Sequence, residues 1–531
     1  MHEQLTGLSA AGTPPRRRRR GPWTVIAVTA LVAVLVSGGV LWALRTQGSP
    51  GETAEQYLAA WARKDYAAMR ALSVDPPADF DRWHRSFGDG LKLTSAAFRA
   101  GESEDVEDGA EVGFHATLAG TVNWSYGGAL RLVEHERAWR VAWTPAAIHP
   151  ELRAGRSIKA VTVQPELAPI TAAGGERIDT STAPGSVQQL VQGLQETYRG
   201  RLTGSASGRI VLYEGKETVK TLAKTGARKG EPLATTIDLR VHEAGAKALD
   251  QVKKPASLVA LRPSTGEVLA AVNKPGGFNR ALLGKYPPGS TFKVVTASAL
   301  VAGGVEPDKS VNCPPERNIG GFRFHNAGFH DYGTLSFRDA FAHSCNTTFG
   351  ELSVKRLDGG RLGQVAAGFG FGAPITPGVP AVRAEFPVPK DATDLASAGI
   401  GQGRVLASPL NMAAVAAAIA DGTWRPPRLV AGKLVPEGGA QPRKVEDGVV
   451  RALRDLMPAV VSEGTAESVR FPKGTAGKTG TAEYGLGKEP PAHSWFVGYQ
   501  GDLAFAVIVE GGGAGAAVAA PIAARFLSAL N

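Results

Sequence analysis

Cysteine is nearly absent: Cys313 and Cys345 are the two in 531 residues. That excludes a disulfide-dense scaffold. Their spacing does not match a metal site, and there is no His/Cys cluster elsewhere, so the reading is no metal and no cofactor. Whether the two cysteines pair is left open. A clustered basic face is also missing. Net charge is +10, and residues 1–45 hold +5 of it, because Arg16–Arg20 and Arg45 face only Glu3 there. The rest is spread thinly along the chain, which excludes a nucleic-acid footprint. Internal repeats and long disordered linkers are lacking as well. The 66 glycines and 35 prolines argue for turns and loops rather than long helical bundles.

What is there suits a chain of several compact domains. Hydrophobic residues make up 43% and charged residues 20%, ordinary values for globular cores, and the length suggests two to four domains. One apolar run stands out. Trp23–Leu44 contains no charged side chain, and it is long enough to span a bilayer core as a helix. The arginine block ahead of it predicts a cytoplasmic tail over 1–22 and residues 46–531 outside the cell membrane. A cleaved signal peptide is the rival reading, but no A-x-A-like site follows the run.

Beyond the apolar run, residues 50–150 read as one α+β unit. A helical period covers Glu52–Leu72, and alternating runs near 111–116, 130–134 and 138–143 read as strands. Residues 151–234 mix strands and polar loops, with a helix near Ser186–Tyr198. From Thr235 the pattern changes. Asp238 is an N-cap candidate, and 256–261 with 267–272 forms a hairpin signature around Pro263–Gly266.

Tyr286–Lys293 reads YPPGSTFK. Pro287–Gly289 punctuate a turn, and Val294, Val295, Ala297 and Leu300 read as a buried helix. Ser290 stands at its start with Lys293 one helical turn on, so the two side chains share a face. A serine hydroxyl is a weak nucleophile until a base takes its proton. A lysine that is buried, or beside another cation, can be that base. The helix N-terminus adds a positive dipole end near a developing oxyanion. S-x-x-K recurs by chance, and two further elements give it weight. Ser344-Cys345-Asn346 comes next along the chain, behind a helical stretch over Leu335–His343. Lys478-Thr479-Gly480-Thr481-Ala482-Glu483 follows much later and reads as a strand, with a glycine that lets a ligand approach the backbone. S-x-x-K, S-x-N and K-T-G in this order form the penicillin-recognising serine enzyme set.

On these motifs the chain from Thr235 to Asn531 resembles the transpeptidase domain of class B penicillin-binding proteins. Asn279-Arg280-Ala281, Gly399–Gly403 and Ser494–Tyr499 add to the likeness. Residues 50–150 are similar to the NTF2-like domain of methicillin-resistance-type members. Residues 151–234 correspond to a dimerisation-type module. The Arg-Gly…Asp-Arg-Asn-Gly pattern of relatives is absent from its start, where Pro169–Ile178 reads PITAAGGERI.

The resemblance implies an α+β multidomain fold: a single transmembrane helix, an NTF2-like domain, the module, and a catalytic domain of antiparallel sheet flanked by helices. It implies a peptidoglycan D,D-transpeptidase that crosslinks stem peptides through a Ser290 acyl-enzyme and binds β-lactams covalently. Lys293 would take the serine proton, Ser344 relay a proton to the leaving amine, and Asn346 hold Lys293 and the substrate amide. Lys478, Thr479 and Thr481 would receive the terminal carboxylate, with Gly480 and Gln402 lining the groove. The oxyanion would sit between the backbone N–H groups of Ser290 and Thr481. Expected partners are stem peptides, β-lactams, the membrane and a cell-wall synthesis complex.

Bland readings stand beside these. Cys345 is expected to point away and pack as a small hydrophobe. His325, His330 and His343 are expected to be loop polar groups, and Trp495 a core residue. Gly401-Gln402-Gly403 is either a substrate-lining loop or a structural turn. The two modest modules between Arg45 and Thr235 leave no room for a glycan-polymerising domain. Rival functions are a β-lactamase or β-lactam sensor, for which Glu351, Asp391 and Asp394 are acids of unknown placement, and a non-catalytic scaffold. Intact Ser290, Lys293, Ser344, Asn346 and Lys478 count against the scaffold.

Overall fold

The computed structural model describes residues 48–485 and 490–531. The arginine block and the apolar run at 23–44 lie outside the described residues. No described helix is long and apolar enough to cross a membrane. The chain divides into two compact units, one through Gln164 plus Ala206–Ala227, the other Pro165–Ser205 plus Arg228–Asn531.

In the first unit, Ser49 and Glu52 form a capping box that starts the helix Pro50–Ala62. The single helix expected over Glu52–Leu72 is two. Lys64 turns to φ +61°, and Asp65 restarts the chain as an N-cap accepting the Ala68 N–H, giving Tyr66–Ala71. Helix Phe80–Leu91 follows, then an antiparallel sheet in chain order: Ser95–Val106, Gly109–Ala119, Trp124–His135 and Ala138–Val141. The first of these strands was not expected, because its polar sequence buries little. Tyr57, Trp61, Phe80 and Phe87 pack on the inward residues Val112, Phe114, Ala116 and Leu118.

Residues 151–234, expected as a module of their own, are shared between the units. Strands Arg156–Val163, Ser207–Glu214 and Glu217–Lys224 form a sheet whose Ile158, Ile210 and Leu212 join the first unit's core. Helix Gly185–Thr197 instead buries Val187, Leu190 and Leu194 in the second unit's core. Its Ser186 hydroxyl accepts the Asn273 N–H at 3.0 Å. Burial of apolar side chains, not chain continuity, decides where each piece belongs.

The second unit is built on a five-stranded antiparallel sheet, in the order Glu267–Lys274, Ala256–Arg262, Leu503–Val509, Ala492–Gln500 and Ala476–Glu483. The strand carrying Lys478 is thus an edge. Asp238 caps Leu239–Leu249 as expected, and that helix packs on the closing helix Ala519–Ser528. The apolar helix Pro409–Asp421 covers the central strands.

Three distant segments meet at two glycines. Ser290 lies in a 3-10 turn, Gly289–Phe292, that runs into helix Lys293–Ala302. Gly289 has φ +52°, and a Cβ there would meet the Thr481 carbonyl oxygen at 2.7 Å. The Gly289 N–H donates to the Gly401 carbonyl at 2.9 Å. Gly401 has φ +72°, and its Cβ would fall 2.1 Å from the Gly289 oxygen. Gly401 is therefore a structural turn that presses the nucleophile's turn against the Lys478 strand.

The second motif sits on smaller elements. Strand Ser310–Cys313 pairs with Gly333–Ser336. Ser336 then caps Phe337–Ala342, so the helix starts later than the expected 335. Cys345 is not a free hydrophobe: it is disulfide-bonded to Cys313, which ties the head of helix Asn346–Arg356 to the strand end.

Substituting Gly401→Ala should destabilise the protein by about 1–3 kcal/mol, the usual cost of overpacking. It should slow labelling of Ser290 by penicillin more than it changes helix content. Circular dichroism melts alongside acylation kinetics test this.

Candidate active site

A cleft of about 640 Å³ runs along the Lys478 strand. Ser290, Ser344, Asn346, Gln402, Thr479, Gly480 and Thr481 all line it. Lys293 and Lys478 are fully buried behind the lining. Every site residue expected from the sequence is thus brought to one place.

Ser344 is held in an unusual conformation. It follows helix Phe337–Ala342 with φ +59°. Its N–H donates to Phe341 O at 3.0 Å, and the Cys345 N–H donates to Ala340 O at 2.8 Å. These paired bonds are the Schellman ending of a helix, with a serine at the position glycine ordinarily takes. Strain of this kind clusters at functional sites. Both the Ser344 carbonyl and its hydroxyl reach the Lys293 amine.

The Lys293 amine is surrounded. Its Nζ lies 2.6 Å from Ser344 O, 2.7 Å from Asn346 Oδ1, 3.1 Å from Ser290 Oγ and 3.3 Å from Ser344 Oγ. The ring of Phe349 lies 5.4 Å away. Burial holds the Lys293 pKa well below the ordinary lysine range, and the charge of Lys478 lowers it further. Lys478 is pulled down to about 7 by burial. Its Nζ donates to Thr479 O at 3.1 Å and stands 5.6 Å from the Phe341 ring centre.

The strand itself is braced from both sides. The hydroxyls of Thr479 and Thr465 are 2.6 Å apart, and Thr481 Oγ1 accepts the Gly515 N–H at 3.2 Å. A Cβ on Gly480 would strike Thr291 at 2.8 Å, so packing against the nucleophile's turn requires this glycine. Trp495 is fully buried, as expected, and its Nε1 donates to Pro287 O at 3.1 Å, fastening the same turn.

Some lining residues were misjudged or missed. His325, His330 and His343 are not merely loop groups: with Phe322, Phe324 and Tyr332 they form one wall of the cleft. Tyr332 stacks on His343 at 4.6 Å, and His325 on Phe329 at 4.5 Å. Thr465 and Asn326 had no motif or period to mark them. Glu351 is paired with Arg317 and Lys355. Asp391 caps its helix, and Asp394 bonds Arg404. None of the three lines the cleft. Among the described residues the acid that does is Glu483.

Residues 256–528 match the family model described as the penicillin binding protein transpeptidase domain. The chain belongs to this family. Residues 49–156 match the NTF2-like N-terminal transpeptidase domain, so it is a class B penicillin-binding protein with an NTF2-like domain ahead of the catalytic one. Peptidoglycan D,D-transpeptidase PbpA of Mycobacterium tuberculosis is 33% identical over 366 residues, 57% of this chain and 72% of PbpA. Peptidoglycan D,D-transpeptidase MrdA of Acinetobacter baumannii is 26% identical over 403 residues, 62% of this chain and 59% of MrdA. Among solved structures, the penicillin G acyl-enzyme complex of M. tuberculosis penicillin-binding protein A aligns with a TM-score of 0.56. It is 25% identical, covering 69% of this chain and 99% of that one. A component of a peptidoglycan synthase complex that coordinates polymerisation and crosslinking aligns at 0.58, 30% identical, covering 64% of this chain and 69% of that one.

The left-handed serine of this penicillin-binding protein yields a stability test. Ser344→Gly should relieve about 1–3 kcal/mol of left-handed backbone strain, offset in part by glycine's larger folding entropy of about 0.5–1 kcal/mol, and so raise stability slightly. Thermal melts of the variant beside the parent measure it.

Proposed function

We propose that this class B penicillin-binding protein is a monofunctional peptidoglycan D,D-transpeptidase, and that Ser290 is the residue it acylates. The observation that carries the reading is the hydrogen-bond count at Lys293. A neutral amine has two N–H donors and one lone pair. Ser344 O and Asn346 Oδ1 can only accept, and at 2.6 and 2.7 Å they take both donors. The lone pair is left for the Ser290 hydroxyl at 3.1 Å. Lys293 then removes the serine proton while Oγ attacks the carbonyl of the penultimate D-alanine. The oxyanion is received by the backbone N–H groups of Ser290 and Thr481; losing one such donor typically costs about 3–4 kcal/mol. The proton passes from Lys293 through the Ser344 hydroxyl to the departing amine, terminal D-alanine leaves, and an ester remains on Ser290. A second stem peptide's amine attacks that ester, forms the new peptide bond and returns the proton to Ser290. Lys478, Thr479 and Thr481 hold the terminal carboxylate, with Gly480 and Gln402 along the groove.

Penicillin follows the first half only. Its amide bond breaks, but the leaving nitrogen stays tethered to the acyl group and blocks the acceptor. The hydrolase alternative needs a base that aims water at the ester. Glu351, Asp391 and Asp394 are engaged elsewhere, which supports the transferase, and Glu483 on the cleft lining is the acid the hydrolase alternative would have to use.

The anchor at 23–44, the extracytoplasmic location of 46–531 and a place in a cell-wall synthesis complex belong to the same reading. Their support is the arginine block before one uncharged apolar run and the likeness to a chain of a synthase complex.

Intact-mass spectrometry of the full chain with penicillin should show one adduct on Ser290 that persists for many minutes, and none on Ser290→Ala. Disappearance of the adduct within seconds, with continuing penicillin turnover, would mean a β-lactamase.

The two lysines also set a pH profile. Lys293 works unprotonated, so acylation rises with pH through its depressed pKa. Lys478 receives the carboxylate protonated, so acylation falls as pH rises through about 7 in the free enzyme. Lys478→Arg cannot deprotonate in this range, and the descending limb should vanish. Second-order acylation rates from about pH 5 to about pH 10 decide it.

A further inference from the structure

Helix Asn346–Arg356 has Cys345 at its N-cap, and of the first helical N–H groups the disulfide sulfur accepts only that of Thr348, at 3.4 Å. Sulfur is a weak acceptor, and the Asn346 and Thr347 N–H groups are left to another partner. That acceptor comes from a residue well upstream in the chain. Asn326, 2% exposed, accepts the Asn346 N–H at 2.9 Å and the Thr347 N–H at 3.2 Å on its Oδ1. Its Nδ2 donates to Pro314 O and to His330 O, both at 2.9 Å. Both amide protons and both lone pairs of Asn326 are thereby satisfied within the protein.

The residue that this remote cap grips is the one facing the base. Asn346 Oδ1 accepts from Lys293 at 2.7 Å, while its Nδ2 donates to His325 O at 3.0 Å. The dipeptide His325-Asn326 thus holds Asn346 at two points. Asn326 fixes its backbone, and the His325 carbonyl demands the NH₂ end of its side chain, so the oxygen end turns to Lys293. We propose that Asn326 is a positioning residue of the acylation step. It sets the place and orientation of Asn346 against Lys293, and although it lies on the cleft lining, its side-chain amide is spent on bonds within the protein. This inference rests on the transpeptidase reading above. Displacement of a catalytic group by about 1 Å can cost on the order of 10²-fold in rate.

The test separates the acylation rate constant from the preceding non-covalent dissociation constant, using penicillin and the full chain. Asn326→Ala should lower the rate constant by about 10- to 100-fold and leave the dissociation constant within about twofold. On an Asn346→Ala background the same change should cost less than about threefold, since the group it positions is gone. Thr348→Val is the control. It breaks another buried hydrogen bond of the same helix, to Asn312 O at 3.0 Å, and should stay within about threefold of the parent. If Asn326→Ala does not fold, Asn326→Asp keeps the acceptor oxygen but sets a carboxylate against two carbonyls, and the same rate loss is expected. The proposal is overturned by an unchanged rate constant, by a loss confined to the dissociation constant, by an equal loss without Asn346, or by an equal loss in the control. A parent that never acylates at Ser290 sinks the transpeptidase reading itself, and this inference with it.

Discussion

The catalytic unit is organised around one difficult object, an amine buried away from water. Desolvation makes a charged ammonium costly there, and the neighbouring Lys478 makes a second charge costlier still. The surroundings answer with acceptors rather than a carboxylate: a backbone carbonyl and a side-chain amide oxygen, each within 2.7 Å of Nζ. An acid in that place would hold the lysine charged and useless as a base. Neutral acceptors orient the amine and leave its lone pair available. Most other features of the site keep this arrangement intact.

Two of those features are backbone devices. Ser344 occupies a left-handed helix ending where glycine would be easier, because a glycine has no hydroxyl to offer Lys293. Gly289 and Gly401 do the reverse: their missing side chains let three segments far apart in sequence touch through their backbones. Side chains then fasten the assembly. Trp495 holds the nucleophile's turn from the neighbouring strand, and Tyr286 with Arg280 converges on Glu510 in front of that turn. The disulfide and Asn326 fasten the second motif from the other side.

The first unit reaches its form by simpler means. Alternation along Gly109–Ala119 turns one face of the sheet to an aromatic cluster, and the helices supply the opposing face. The same apolar demand draws in strands from beyond residue 150 and again from beyond 206, while the segment between them serves another core.

Local chemistry was legible in the sequence wherever a few adjacent residues suffice. The three motifs, the cap at Asp238, the hairpin at 256–272 and the later strands of the first unit all follow from short-range pattern. The order of the motifs by itself points to Ser290, Lys293, Ser344, Asn346 and Lys478. Other facts depend on segments that meet only in space. Such are the pairing of Cys313 with Cys345, the remote cap by Asn326, the contact of Thr465 with Thr479 and the split of 151–234 between two cores. No periodicity records them, because a hydrogen bond or a buried surface has no signature in the sequence between its ends. The sequence by itself determined which chemistry this protein carries; the tertiary structure alone decided how its lysine is kept neutral and aimed, since that depends on which backbone atoms arrive around one nitrogen.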